Sequence, residues 1–370
     1  MSKIAITADI HFGVPGRLDD ILWACCTIRE HCKQNNIDKV FVLGDLYHNR
    51  QAIEIDVNSQ VCQFFEDTKN EYGQEWVVFP GNHDMFLRHS WEINSLSALK
   101  NHLTVIEDIK VVEVDDEHRF WILPFITYEK AFLKALKLIV KHPEFRPNKD
   151  NLFTHIGVRS ATMNTCFLLK DWSKVDFADF PFNRIYTGHF HSQQQVGNNV
   201  WYPGSPIPFK FDEGDVPHGF YVLDLDKNEH EFVNIWEVEQ PTNSSKLTPP
   251  PPQFKTIIDE FIPDMKPQDF NNCMVRVALQ KDLTNNEKSI LKEKLLSMGA
   301  RSVRWMDIQS SEGIEQEAVD DSFDLQQDLF KNWVDKDHKN NKDLDAKILA
   351  NCNNEVVLEG DELYSIEFTG

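Results

Sequence analysis

Three apolar runs near the start of the chain each break off at a short set of polar residues, and this pattern constrains the fold more than any other feature. Ile4 to Thr7 runs into Ala8-Asp9-Ile10-His11. Lys39 to Leu43 runs into Gly44-Asp45-Leu46-Tyr47-His48, and Val77-Val78-Phe79 into Pro80-Gly81-Asn82-His83-Asp84. Pro80 and Gly81 end a ladder and bend the backbone. Between the runs, Leu18, Ile21, Leu22, Cys25, Ile28 and Cys32 recur at helical spacing, and a second helical pattern covers Val57 to Phe65. Alternating strands and helices imply an α/β sheet built by right-handed crossovers. The polar residues then fall at the carboxyl ends of its strands, where such sheets present their chemistry.

Asp9 and His11 are two residues apart, so extended geometry points both the same way. A carboxylate and an imidazole on one face suit a divalent metal. Two later runs end alike: Leu152-Phe153-Thr154 at His155, and Arg184 to Gly188 at His189-Phe190-His191, where His189 and His191 again share a side. Phe120 to Pro124, Asn199 to Pro206 and Gly219 to Asp224 read as further strands, and Lys130 to Lys141 as a helix. Asp9, His11, Asp45, Asn82, His155, His189 and His191 thus stand at the ends of five strands. Four imidazoles, two carboxylates and an amide oxygen are too many donors for one cation and suit two that share a carboxylate.

Thr242 to Gln253 contains four successive prolines, Pro249 to Pro252, which resist helix and sheet and act as a semi-rigid spacer. The expected division is 1–240 for the main domain, 241–253 for the linker, 254–312 for a small α+β unit and 313–370 for an acidic C-terminal segment. In the small unit, Met274 to Leu279 and Ser302 to Met306 read as strands around a helix from Asn285 to Met298. Thr284 and Glu287 form a capping box at its start, and Gly299 suits its end. Farther on, Leu325, Leu329, Phe330 and Trp333 share one helical face, which packs on its own domain or docks on a partner.

The formal net charge of −21 argues against a generally basic nucleic-acid protein, but its distribution matters more. Residues 313–370 carry 15 Asp and Glu against 5 Lys, so nearly half of the excess lies in a solvated tail. Bound cations would offset some of the remainder. Seven cysteines without a C-x-x-C pair read as free thiols in a reducing, cytoplasmic compartment. No apolar run approaches a membrane span or the core of a signal peptide.

The ordered set D-x-H, G-D-x-x-H, G-N-H-D, a lone His and G-H-x-H resembles the calcineurin-like metallophosphoesterase superfamily. More narrowly it resembles the SbcD family of nuclease subunits, with a layout similar to those of T-even phages. The resemblance implies a four-layer αββα sandwich with a small α+β capping domain and C-terminal helices. It assigns Asp9, His11, Asp45 and His191 to one metal and Asp45, Asn82, His155 and His189 to the other, with Asp45 bridging. His83 matches the family's catalytic histidine and His48 a phosphate-contacting one. Tyr47-His48-Asn49-Arg50 departs from the G-D-x-x-D and Arg-Gly pattern of related phosphatases, which favours the nuclease branch. Asp84 is expected to orient the turn or a histidine.

The implied cofactors are two divalent ions. The donor set permits Mn²⁺, Fe²⁺ or Zn²⁺, and the family implies Mn²⁺. The implied partners are DNA and an SbcC-type ATPase, with a homodimer inside a heterotetramer. Leu325, Leu329, Phe330 and Trp333 are the candidates for the ATPase contact. Arg17, Arg88, Trp91 and Lys210 are the candidates for DNA contacts, although half-buried packing suits Trp91 equally. A nucleotide phosphodiesterase or phosphatase, and a non-catalytic scaffold, are the competing readings.

Overall fold

The computed structural model describes residues 3–87, 90–162, 175–214, 216–238, 250–258, 266, 270–280 and 282–307. Its first half alternates as read: β1 (Lys3–Thr7), α1 (Leu18–Gln34), β2 (Lys39–Val42), α2 (Ile55–Tyr72) and β3 (Glu75–Val78). There follow β4 (Thr104–Val105), β5 (Lys110–Glu113), β6 (Arg119–Leu123), α3 (Glu129–Lys141), β7 (Asn151–His155) and β8 (Ile185–Gly188). Next come β9 (Gln194–Val196), β10 (Val200–Tyr202), β11 (Gly219–Asp224) and β12 (Glu229–Asn234). Last are β13 (Gln253–Ile258), β14 (Cys273–Leu279), α4 (Asn285–Ser297) and β15 (Ser302–Asp307).

The strands form two six-stranded sheets, ordered β12-β11-β1-β2-β3-β4 and β5-β6-β7-β8-β10-β9. In the first, β1 to β4 run parallel and β11 joins β1 antiparallel. In the second, β6, β7, β8 and β10 run parallel between antiparallel edges β5 and β9. Alternation along each strand explains the layering. Ala5, Val40, Val42 and Val78 face α1 and α2, whereas Ile4, Ile6, Phe41 and Val77 face the second sheet. On that sheet Phe120, Ile122, Phe153 and Tyr186 face inward, while Trp121, Leu123, Leu152 and Ile185 meet Phe132, Leu136 and Ile139 of α3. The result is a four-layer sandwich of helix, sheet, sheet and helix, as the resemblance implies. At its centre the rings of Phe120 and Phe153 stack with centroids 4.5 Å apart, and Phe41 lies 4.8 Å from Phe153.

Strands β13, β14 and β15 form a separate, wholly parallel sheet whose core gathers Cys273, Val275, Val277 and Leu279 around Leu295 of α4. The capping box is present: Glu287 N–H donates to Thr284 Oγ1 at 3.3 Å, and Thr284 N–H to Glu287 Oε2 at 2.8 Å. Such a cap contributes about 1 kcal/mol. The short β4, β5, β9 and β12 carry weak patterns and escape a reading by periodicity. So does β13, which starts at Gln253 directly after the prolines, because its pattern shows once it pairs with β14. Asn272 Nδ2 donates to the carbonyls of Pro250 at 2.6 Å and Pro251 at 3.3 Å, which pins the proline run to the sheet. Among the described residues no helix is long and apolar enough to cross a membrane. The stripe Leu325, Leu329, Phe330 and Trp333 lies outside the described residues.

Candidate metal centre

The carboxyl ends of β1, β2 and β3 in one sheet meet those of β7 and β8 in the other. Backbone bonds zip the first two loops together: Asp9 N–H donates to Gly44 O at 3.2 Å, and His11 N–H to Asp45 O at 3.0 Å. The third loop is tied in by Asp84, whose buried carboxylate accepts the N–H groups of Gly81 (2.9 Å), Leu46 (3.2 Å) and Tyr47 (3.0 Å). Asp84 therefore holds two loops in register, the turn-orienting alternative rather than a bond to a histidine. The loops approach so closely that a Cβ on Gly81 would lie 2.2 Å from Asp45 Oδ1. Gly44, at φ 82°, would likewise meet His155 Nδ1 at 2.6 Å.

Four candidate ligands sit in the left-handed backbone region: Asp9 (φ 52°), His11 (φ 55°), Asp45 (φ 52°) and His189 (φ 102°). Such conformations cost of order 1–3 kcal/mol each and persist where surrounding structure enforces them. They correct the expectation of extended alternation. Asp9 and His11 lie beyond the end of β1, and the bonds to the β2 loop set their directions, not strand pleating. His189 and His191 do not share a side but diverge. His189 Nδ1 lies 2.9 Å from Asn82 Oδ1, and His191 Nε2 lies 3.0 Å from His11 Nε2.

The donors converge. His155 donates its Nδ1–H to Leu43 O at 2.7 Å, which turns Nε2 toward Asn82 Oδ1 at 3.0 Å and Asp45 Oδ2 at 3.4 Å. Asp45 Oδ2 also lies 3.8 Å from His11 Nε2, so one oxygen stands between the two groups of imidazoles. Asp9, His11 and His191 form one cluster of donor atoms within 4.8 Å of one another, and Asp9, Asp45 and His155 another. Charge agrees with geometry. Burial pushes the Asp9 carboxyl up to about 6, against the pull of His155 and His191. Burial opposes a proton on His155, yet Asp45 and then Asp9 outweigh it and lift the imidazole to about 9. Burial and neighbouring imidazoles instead push His11 well down and His189 to about 3, which keeps these rings neutral as ligands, and the mixed oxygen and nitrogen donors suit two divalent cations.

A family model of calcineurin-like phosphoesterases matches residues 2–194, a span that contains every one of these donors. The chain belongs to the calcineurin-like phosphoesterase family. It is 26% identical over 186 residues to a protein of Invertebrate iridescent virus 3 named as a phosphoesterase, a match covering 48% of this chain and 50% of that protein. It is 24% identical over 260 residues to the SbcD component of the SbcCD nuclease of Staphylococcus epidermidis, covering 61% of this chain and 67% of that one. It is 24% identical over 318 residues to exonuclease subunit 1 of Enterobacteria phage T4, covering 78% of this chain and 81% of that one.

Two more histidines line the phosphoesterase cleft. His83 Nδ1–H donates to His48 O at 2.7 Å, and His83 N–H to Asp45 Oδ1 at 2.7 Å. The rings of His48 and His83 stack 5.6 Å apart at 13°. With His11 they form a third group of converging nitrogens. The sequence reading missed three residues. Glu213 Oε1 accepts His191 Nδ1–H at 2.9 Å. The Phe209 ring stands edge-on to His11 at 5.7 Å and to His191 at 5.6 Å. Phe125 stacks on His189 at 6.2 Å. None of the three carries a periodic or motif signal, since their positions depend on distant backbone.

The DNA-contact candidates separate. Arg17 is buried, bonded to Asp20 at 2.6 Å and to Pro208 O at 3.1 Å, with its guanidinium over Phe209 and Phe254. Trp91 is buried too and donates its indole N–H to Phe125 O at 2.8 Å. Arg17 is corrected from an exposed contact to a packing residue, because neighbouring segments cover its loop face, and Trp91 takes the packing alternative. Lys210 is exposed on the rim, close enough for its charge to join burial and neighbouring histidines in lowering the His48 pKa. Arg88 lies outside the described residues.

Proposed function

We propose that this phosphoesterase is a Mn²⁺-dependent DNA exonuclease and endonuclease subunit. It hydrolyses phosphodiester bonds with two bound cations and acts with an SbcC-type ATPase in end processing, recombination and repair. The observation that carries the hydrolytic reading is Asp45 Oδ2, standing 3.4 Å from His155 Nε2 and 3.8 Å from His11 Nε2. In this reading Asp45 would be a ligand shared by the two ions. Asp9, His11 and His191 complete one ligand set, and Asn82, His155 and His189 the other. Bound divalent cations lower the pKa of water and polarise phosphoryl oxygens.

The chain's own residues divide the remaining work. Asp9 and Asp45 supply the anionic ligands. His83 has Nδ1–H committed to the His48 carbonyl, so Nε2 is the nitrogen left to take up a proton and, as imidazolium, pass it to the departing sugar oxygen, against the lowering of its pKa by burial. His48, with its ring alongside, contacts the phosphate. The DNA part is supported by the two relatives named as nuclease subunits, whose matches are too long to fit within residues 2–194. In this reading 254–312 is the DNA-binding capping domain beyond the linker at 241–253, and 313–370 carries the ATPase-binding helices. Lys210, exposed on the rim of the cleft, is the candidate for a DNA contact.

The test is cleavage of linear duplex and single-stranded DNA by the chelated chain after addition of Mn²⁺ or Mg²⁺, with and without an SbcC-type ATPase. Mn²⁺-restored DNA cleavage is expected, with the stronger response in the presence of the ATPase. The virus relative carries only the name of a phosphoesterase, which is compatible with the second reading, a nucleotide phosphodiesterase or phosphatase. Mn²⁺-dependent turnover of an aryl phosphodiester with all DNA left intact would decide for it. A chain ended at Gly313 is expected to lose ATPase binding and keep metal-dependent cleavage. Normal ATPase binding by that chain would refute the partner assignment.

A further inference from the structure

The segment from Pro203 to His218 connects two parts of the molecule that sequence separates. On its inner side, Glu213 is buried and uses both carboxylate oxygens. Oε1 accepts His191 Nδ1–H at 2.9 Å, while Oε2 accepts the N–H groups of Phe209 at 2.7 Å and Lys210 at 3.3 Å. The same segment fastens the His191 backbone, whose carbonyl accepts Ser205 N–H at 3.0 Å. The buried His218 ring lies between the loop carbonyls, Nδ1 2.9 Å from Ser205 O and Nε2 2.9 Å from Glu213 O, and when neutral donates its one N–H to either of them. On its outer side, Phe211 meets Phe254 of β13 edge-on with centroids 4.9 Å apart, and the guanidinium of Arg276 lies 5.0 Å from its ring centre.

We propose that Glu213 is a positioning residue for the metal centre: it holds the His191 ring by Nδ1–H so that Nε2 faces His11, and the three-stranded sheet braces it through Phe211. The inference rests on the reading of His191 as a metal ligand. A ring nitrogen that donates to a carboxylate leaves the other nitrogen as a lone pair aimed at the metal and makes it more basic. An amide replaces this carboxylate only in part. Glu213 satisfies donors on both sides, whereas Gln offers one oxygen, so either the imidazole or the backbone N–H groups lose their acceptor.

The experiment uses the full chain and its variants Glu213→Ala, Glu213→Gln and Phe211→Ala, with folding followed by circular dichroism. Mn²⁺ stoichiometry and affinity are measured by calorimetry. The hydrogen-bonded His191 Nδ1–H proton is followed by NMR in metal-free protein. The wild-type chain is expected to bind two ions and to show the downfield Nδ1–H signal. Folded Glu213→Ala should lose that signal and bind one of the two ions about 10–100-fold more weakly, the range for outer partners of metal-bound histidines, with Glu213→Gln between it and wild type. Phe211→Ala should weaken the same ion by a smaller factor.

Folded Glu213 variants that keep the signal and bind both ions with wild-type affinity would overturn the proposal. Weakening by Glu213→Gln with none in Phe211→Ala would overturn the bracing role. A wild-type chain that shows the signal but binds no Mn²⁺ would refute the metal-ligand reading of His191, and with it the proposal. Absence of the signal from a wild-type chain that binds two ions would instead overturn the Glu213 bond alone.

Discussion

Asn82 Oδ1 lies 3.0 Å from His155 Nε2, although 73 residues separate them and their strands belong to different sheets. The next residue, His83, turns its Nδ1–H away to the His48 carbonyl at 2.7 Å. One step along the chain thus separates a residue that joins the donor cluster from one that stands beside it.

His83→Ala should therefore lower phosphodiester cleavage by about 10²–10⁴-fold, the range for a general acid, while leaving Mn²⁺ stoichiometry unchanged. Asn82→Ala should reduce the number of tightly bound ions. Exchanging the pair, so that His stands at 82 and Asn at 83, should abolish activity at constant composition. Calorimetric Mn²⁺ titration beside a cleavage assay separates the cases, and loss of both ions in His83→Ala would contradict the division.

Asp84→Ala should destabilise the fold. It strips the acceptor from the N–H groups of Gly81, Leu46 and Tyr47 in a buried setting. Each orphaned donor costs about 1–3 kcal/mol, so a combined loss of about 3 kcal/mol or more is expected. Asp84→Asn retains one oxygen and should lose less. Urea unfolding midpoints check both, and an unshifted midpoint in Asp84→Ala would show that the two loops do not depend on it.

Phe153→Ala should cost about 3–5 kcal/mol, because the ring fills the space between the sheets against Phe41 and Phe120. Thermal unfolding of the variant should show the corresponding drop. A loss under about 1 kcal/mol would mean that the intersheet core repacks around the gap.

Stability should fall as pH drops from about 6.5 toward 4, and His230 should contribute to the slope. Burial and the neighbouring Arg184 guanidinium push its imidazole down to about 4. In that window the unfolded chain binds the proton and the folded chain does not, so acid favours unfolding; above the window the contribution is fully present. Denaturant titrations at several pH values should show a shallower acid slope for His230→Gln than for wild type. Identical slopes would remove His230 from the effect.

Much of the site was legible because its chemistry is local. Asp9, His11, Asp45, Asn82, His155, His189 and His191 each follow an apolar run, and ligand-type residues at strand ends stand out against ordinary turns. Helix α1 was legible for the same reason: Ile21, Cys25, Ile28 and Cys32 are buried as their spacing requires. Glu213 was not legible. Its partner His191 lies 22 residues away, and the turn that brings them together has no period. Arg17 misled because a basic residue in a loop looks exposed until a neighbouring segment covers it.

By itself the sequence determined which residue types end which strands, the order of strands and helices in the first half, and the capping of α4. These follow from side-chain periodicity and local backbone preference, which act over a few residues. The tertiary structure decided that the strands split into two sheets and that their carboxyl ends face one another. It also decided that His189 and His191 part company and that a buried glutamate stands behind one of them. Those outcomes depend on burial and on hydrogen bonds between segments far apart in the chain. No window of sequence contains both partners of such a contact.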